Sequence, residues 1–155
     1  MKSILALLLL TCLTFQTGCQ SISTELSKLD APTIIAKVKP YVQISTAQIT
    51  SYVLKQAKNE ADRKKRAIVV TDISVALRFV VASKKAPTQA ELQELILHVS
   101  PHTAESPVDW SFFAVTLSAV YGGYVQQFPG NVQVALEIID LIANGLADGA
   151  RPYLK

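Results

Sequence analysis

The stretch WSFFAVTLSAVYGGYVQQF, residues 110–128, decides the fold class that this chain predicts. Its apolar residues return every three or four positions over about five turns, which is the period of a helix with one buried face. No charged residue interrupts the stretch, and Pro129-Gly130-Asn131 ends it. We therefore predict a long core helix whose inward-facing residues are Trp110, Phe113, Ala114, Leu117, Val120, Tyr121, Tyr124, Val125 and Phe128.

A second apolar helix is predicted after this break. Asn131 is a residue that caps helix starts, and Gly145 and Gly149 are expected to fray the C-terminal end. The side chains predicted to face inward are Val134, Ile138, Leu141, Ile142 and Leu146.

Capping signals mark two helix starts before residue 110. Thr88 and Glu91 have the spacing of a capping box, so a helix is predicted to begin there and to stop before Pro101. Ser106 and Pro107 are typical of the cap and first turn of the long core helix. The first of these two helices would bury Leu92, Leu95 and Ile96.

The N-terminal half is read as further helices. A short helix is predicted from Pro32 to about Lys39 with a kink or break at Pro40, and a longer one from Thr46 to about Lys65. Three oppositely charged pairs at a spacing of four support the longer helix. These pairs are Lys58 with Asp62, Glu60 with Lys64, and Asp62 with Arg66.

Residues 67–83, AIVVTDISVALRFVVAS, are rich in β-branched side chains, which leaves a hairpin turning near Asp72 open. The spacing of Ile73, Leu77, Val80 and Val81 favours a helix. That helix either continues from Thr46 or restarts with Asp72 as its cap. With short connections throughout, the prediction is an all-α bundle of about five helices forming a single domain over residues 31–155.

The first 19 residues, MKSILALLLLTCLTFQTGC, have a different layout. A positive start at Lys2, an apolar run and a small-residue exit are typical of a secretory signal peptide. Thr17-Gly18-Cys19 resembles the processing site of bacterial lipoproteins, although Gln16 stands where Leu, Val or Ile is usual. The resemblance implies a signal peptide over 1–18, lipidation of Cys19, and a tether over 19–30. Gln20, rather than Asp, after the cysteine implies an outer-membrane protein facing the periplasm.

Cysteine usage agrees with this reading. The chain has two cysteines, and Cys12 would be lost with the signal. No disulfide is then available, so stability must come from packing. The predicted anchor places the protein at a membrane without crossing it.

The charges are unevenly distributed. Residues 28–85 carry twelve Lys or Arg against four acids, whereas residues 86–155 carry two against seven. The densest basic cluster predicts contact with an anionic lipid or envelope polymer, the alternative being a solvated helix face. Nucleic acid is disfavoured, because no aromatic residues alternate with the bases. The cluster comprises Lys58, Arg63, Lys64, Lys65 and Arg66.

Catalytic patterns are missing from the sequence. It has no GxSxG, phosphate loop or dinucleotide motif. His98, His102, Glu105 and Asp109 are the residues that a metal site would need, but Pro101 between the histidines argues against it. We therefore predict neither a metal nor a cofactor, and no enzyme activity.

The function predicted is that of a lipid-anchored cell-envelope protein that binds or scaffolds a partner. One alternative is a membrane-inserted oligomer through the 110–128 helix, where Ala114, Ser118 and Gly122 are spaced four apart. Another is an envelope enzyme whose site the sequence does not reveal.

Overall fold

The last helix lies at the centre of the structure. The computed structural model describes residues 30–100 and 110–155, and these form five α-helices and a final turn of 3-10 helix, with no strand among them. The predicted all-α bundle forming one domain is therefore confirmed. The elements are α1 (Ala31–Lys55), α2 (Glu60–Ser83), α3 (Gln89–Val99), α4 (Trp110–Val125), α5 (Val132–Ala150) and the 3-10 turn Arg151–Tyr153.

Helix α5 is apolar around most of its circumference, as a helix enclosed by others must be. It runs parallel to α1, because Gly145 lies against Thr46 and Gly149 against Thr50. It runs antiparallel to α2, where the Ser74 hydroxyl donates to the Ala143 carbonyl at 2.8 Å. The five residues predicted to face inward on α5 are all buried.

The prediction that Gly145 and Gly149 fray the end of α5 is wrong. Both lie within the helix, where they allow close packing. A Cβ at Gly145 would lie 2.8 Å from the Thr46 Cβ and 2.9 Å from the Gln43 carbonyl oxygen. A Cβ at Gly149 would lie 2.8 Å from the Thr50 Cβ. Small residues four apart let two helix backbones approach closely, which is the function of both glycines here.

The predicted break at Pro40 is wrong, and so is the predicted start at Thr46. Helix α1 is continuous through both residues. Pro40 is exposed, so the Ala36 carbonyl that loses its amide partner also faces solvent and can bond to water. The buried face continues past Pro40 from Val38 to Val42, and this packing outweighs the lost hydrogen bond.

The predicted helix from Thr46 to Lys65 is interrupted by a turn at residues 56–59. Asn59 has an extended backbone, and its side-chain oxygen accepts from the Asp62 amide at 2.8 Å, which starts α2. The Asp62 carboxylate accepts from the Lys58 backbone amide at 3.1 Å. Lys58 and Asp62 are thus partners across a helix start and not a pair on a helix face.

Residues 67–83 are helical, as favoured, and no hairpin forms. Helix α2 runs unbroken from Glu60 through exposed Asp72, so neither predicted starting point is correct. Its buried residues, including Ile73 and Leu77, follow the helical period, and Val80 and Val81 pack against the core. Packing against α5 makes this segment helical despite its many β-branched residues.

Helices α3 and α4 form an antiparallel pair beside the other three. The capping box is confirmed: Thr88 Oγ1 accepts from the Glu91 amide at 3.2 Å, and Glu91 Oε2 accepts from the Thr88 amide at 2.7 Å. Hydrogen bonding of the Glu91 carboxylate to the Thr88 backbone amide, and secondly to the Thr88 side chain, holds the pKa of Glu91 below its usual value. Helix α3 ends before Pro101, as predicted. The Tyr121 hydroxyl joins the pair by donating to the Pro87 carbonyl at 2.6 Å.

The predicted core helix is confirmed over Trp110–Val125, and a turn follows it. Phe113, Leu117 and Tyr121 are buried, Phe128 is buried just beyond the helix, and Asn131 caps α5 by accepting from the Val134 amide at 3.1 Å. The predicted cap at Ser106 and Pro107 lies outside the described residues. Of the helices in residues 30–100 and 110–155, none has the length and apolar character that crossing a bilayer requires.

Candidate anionic-surface contact

The predicted basic cluster divides into two groups. Arg66 is buried, with 3% of its surface exposed, and Arg63 is partly buried. Lys58, Lys64 and Lys65 are exposed. Only the three lysines can present a charged group fully to an external partner.

The two arginines bind the C-terminal end of α1. Arg66 donates to the Val53 carbonyl at 3.2 Å, and Arg63 donates to the Leu54 carbonyl at 3.3 Å. These carbonyls belong to the last turn of α1, which carries partial negative charge, and the Leu54 carbonyl also accepts from the Ala57 amide at 3.3 Å. The arginines therefore stabilise the turn between α1 and α2 from inside.

Each arginine has a second contact. Arg66 forms an ion pair with Asp62 at 2.7 Å, and this hydrogen-bonded guanidinium lowers the pKa of the Asp62 carboxyl. The Arg63 guanidinium lies 5.8 Å from the ring centroid of Tyr153, within the range of a cation–π contact. The ion pair lies within the start of α2, whereas the Arg63–Tyr153 contact joins the start of α2 to the 3-10 turn.

The exposed lysines gather at this end. Helix α1 ends here, α2 begins here, and α5 ends here, because α5 is parallel to α1 and antiparallel to α2. Lys55, in the last turn of α1, is also exposed and joins Lys58, Lys64 and Lys65. We call these four lysines the basic end.

Few acids oppose the basic end. Asp62 is paired with Arg66, and Asp148 is paired with exposed Arg151 at 2.8 Å. Glu60 is exposed in the first turn of α2. Lys55 lies in the last turn of α1, Lys58 in the turn that follows, and Lys64 and Lys65 in the second turn of α2. Four exposed lysines this close to one end produce a positive surface whose attraction for anions falls with salt.

The chain enters the bundle at the opposite end. Helix α1 has 25 residues, which corresponds to a length of about 37 Å. The predicted lipidation residue, Cys19, lies outside the described residues, on the N-terminal side of α1. A tether joined at Ala31 therefore reaches the domain one helix length from the basic end.

The residues that a metal site would have needed are mostly outside the described part of the chain. His98 is exposed on α3, and His102, Glu105 and Asp109 fall in the undescribed segment 101–109. Within residues 30–100 and 110–155, no group of three or more His, Cys, Asp or Glu is placed to hold a metal.

An open groove of about 630 Å³ lies where the end of α2 meets the start of α5. Lys84 lines it opposite Glu137 and Asp140. The amide of Gln133 donates to Glu137, and that of Asn144 donates to Asp140 at 2.9 Å. Both carboxylates are thus bound by amides of their own helix, and neither is paired with a nucleophile.

No family model, curated protein or solved structure matches this chain. The function must therefore be inferred from the described surface and the sequence.

The sequence predicted the basic cluster. It did not predict that the two arginines turn inward while the lysines are exposed, nor that Lys55 joins those lysines. The capping signal at Asn59 and Asp62 would have placed Lys55 at a helix end beside the cluster. Which arginine turns inward has no signal in the sequence, because it depends on where α1 ends relative to α2.

Proposed function

We propose that this protein is a lipid-anchored component of a bacterial cell envelope, held at the outer membrane through Cys19 and facing the periplasm. Its helical domain binds or scaffolds an anionic partner through the basic end. The partner's required chemistry is repeated negative charge, such as the phosphates of lipid headgroups or of an envelope polymer.

The observation that carries the binding role is the convergence of Lys55, Lys58, Lys64 and Lys65 at one end of a rigid bundle. Arg63 and Arg66 hold the turn that bears Lys58 and joins the helices bearing the other three lysines, so the backbone positions of the four are fixed relative to one another. A fixed positive surface binds a polyanion at lower entropic cost than the same charges on a loose segment.

The burial of α4 supports an anchored domain over insertion through the 110–128 helix. Ala114, Ser118 and Gly122 are all buried, so their close-approach surface is already occupied within the bundle. A Cβ on Gly122 would collide with the Gln89 side chain of α3. Insertion would require α4 to leave these contacts.

The anchor is tested by the intact mass of the membrane-extracted protein and by fractionation of Cys19→Ser. We expect a mature chain that begins at Cys19 with added acyl chains, and release of Cys19→Ser into the soluble fraction. An unmodified N-terminus would refute the anchor, and retention of Cys19→Ser in the membrane would favour insertion.

The binding role is tested with Cys19→Ser and the triple variant Lys58→Gln, Lys64→Gln, Lys65→Gln. Long-chain polyphosphate and phosphatidylglycerol vesicles separate a polymer from a headgroup as the source of the anion. We expect salt-sensitive binding that the triple variant loses and that the matched double variant Lys84→Gln, Lys85→Gln keeps. Equal binding by both variants would refute the role of the basic end.

A further inference from the structure

The solvent-facing side of α1 is a narrow stripe that runs along most of the helix. At 100° per residue its members fall within an arc of about 80°, and they span about 27 Å of helix. All are exposed. This α1 stripe consists of Lys37, Tyr41, Ile44, Gln48, Tyr52 and Lys55.

The α1 stripe combines exposed apolar surface with positive charge. Tyr41 is 65% exposed, Ile44 56% and Tyr52 49%, while lysines stand at both ends. Helix α1 contains no Asp or Glu. Tyrosine rings flanked by lysines are typical of helices at the boundary between water and lipid headgroups, where the ring is half immersed and the ammonium reaches phosphate.

We propose that the α1 stripe lies flat on an anionic bilayer. This proposal deepens the function proposed above and rests on it for one step, the anchor at Cys19. Residues 20–30, which join Cys19 to α1, span at most about 40 Å even if fully extended. The anchor would therefore keep the start of α1 within about 40 Å of the membrane, and the α1 stripe then offers one apolar side and two lysine ends to meet it.

A second copy of the chain is a poorer occupant of this surface. Antiparallel pairing of two α1 stripes would place Lys37 against Lys55, and parallel pairing would place each lysine against its own copy. The helix has no acid that could offset this repulsion. An anionic bilayer supplies the opposite charge along the whole stripe.

The outer side of α2 provides a matched control. Ile68, Val75 and Phe79 are exposed there to comparable extents, namely 47%, 44% and 71%. Exposed Lys64 and Lys65 precede them on α2, but exposed Asp72 lies among them and the α1 stripe has no such acid. The two helices therefore offer comparable apolar exposure, and they differ in the acid that stands among the apolar residues of α2.

The test compares Ile44→Trp with Phe79→Trp, each in Cys19→Ser so that acylation does not contribute. Native Trp110 is buried and gives the same background in both chains. The vesicles are equimolar phosphatidylglycerol and phosphatidylcholine with brominated acyl chains, and pure phosphatidylcholine is the reference. We expect Ile44→Trp to shift to shorter emission wavelength and to be quenched on the anionic vesicles alone, while Phe79→Trp keeps its emission.

The lysines at the two ends of the stripe are tested by partitioning. Lys37→Gln with Lys55→Gln should lower the partition coefficient by about 25-fold, since each lysine near an anionic surface contributes about fivefold. The control pair Lys84→Gln and Lys85→Gln should change it less than about twofold.

Three results would overturn the proposal. They are an unquenched Ile44→Trp, equal quenching of Phe79→Trp, or an emission shift of Ile44→Trp that follows protein concentration without vesicles and so indicates a second copy. The intact mass of the membrane-extracted protein tests the anchor at Cys19 independently. Acylated Cys19 with an unquenched Ile44→Trp refutes only the stripe, and quenching without acylation refutes only the anchor.

Discussion

The two sides of α1 differ in the size of their residues and in what those residues contact. Toward α5, Thr46 and Thr50 meet glycines at distances that leave no room for a Cβ. Toward solvent, Tyr41 and Tyr52 expose about half or more of their surface. The comparison teaches that the small residues of this chain fix the helix packing, while its large exposed residues are available for contacts outside the bundle.

The largest effect is expected from filling the α1–α5 contact. Gly145→Ala should lower the free energy of unfolding by about 3 kcal/mol, because the new methyl would meet the Thr46 Cβ and a backbone oxygen. Gly123→Ala in α4 is the control, since nothing lies within 4 Å of its Cβ position, and it should stabilise by about 0.5 kcal/mol. Urea unfolding measures both, and the same sign of change in the two variants would contradict the close packing.

Stability should depend next most strongly on the C-terminal end of α1, which Arg63 and Arg66 bind. Arg66→Ala should lower the free energy of unfolding by about 2 kcal/mol, because the Val53 carbonyl loses its side-chain donor and the Asp62 carboxylate loses its ion pair and keeps only the Lys58 amide. Exposed Lys64→Ala on the same helix should change it by less than about 0.5 kcal/mol. Similar values for the two variants would show that Arg66 does not stabilise the turn.

The ion pair of Arg66 also predicts a pH dependence. The folded state lowers the pKa of Asp62 from its ordinary 3.8, so this carboxylate stabilises the fold above that pH. Its contribution is lost as the pH falls from 3.8 through the lowered value. Asp62→Asn should therefore have a lower Tm than the parent at pH 6, with a gap that narrows as the pH falls below 3.8.

Thermal unfolding from pH 6 to 2 measures that gap. Glu94→Gln, which alters an exposed carboxylate on α3, is the control and should follow the parent curve. A gap between Asp62→Asn and the parent that stays constant over this range would contradict the ion-pair explanation.

The smallest effect on stability is expected on the outer side of α1. Tyr41→Ser and Tyr52→Ser should each change the free energy of unfolding by less than about 0.5 kcal/mol, because both side chains are exposed. Val42→Ala on the inner side should cost about 2 kcal/mol, since Val42 is fully buried. Destabilisation by the tyrosine variants equal to that by Val42→Ala would show that the outer side packs within the bundle.

Features that depend on neighbouring residues were predictable. The capping box of Thr88 and Glu91, the cap at Asn131 and the helical period of 110–128 each involve residues within a few turns of one another. The same kind of signal at Asn59 was available and would have placed the turn between α1 and α2. The cluster of basic residues was also visible, but not which of its members face solvent.

The sequence by itself determined the helical character of this protein, its most regular core helix and the concentration of positive charge in its first half. These follow from periodicity, capping and composition, which are properties of local chain. Only the tertiary structure decided that Pro40 stays within a helix, that Gly145 allows close packing, and that Arg66 turns inward. The physical reason is that each of these three depends on what another helix places against the residue, which no local pattern encodes.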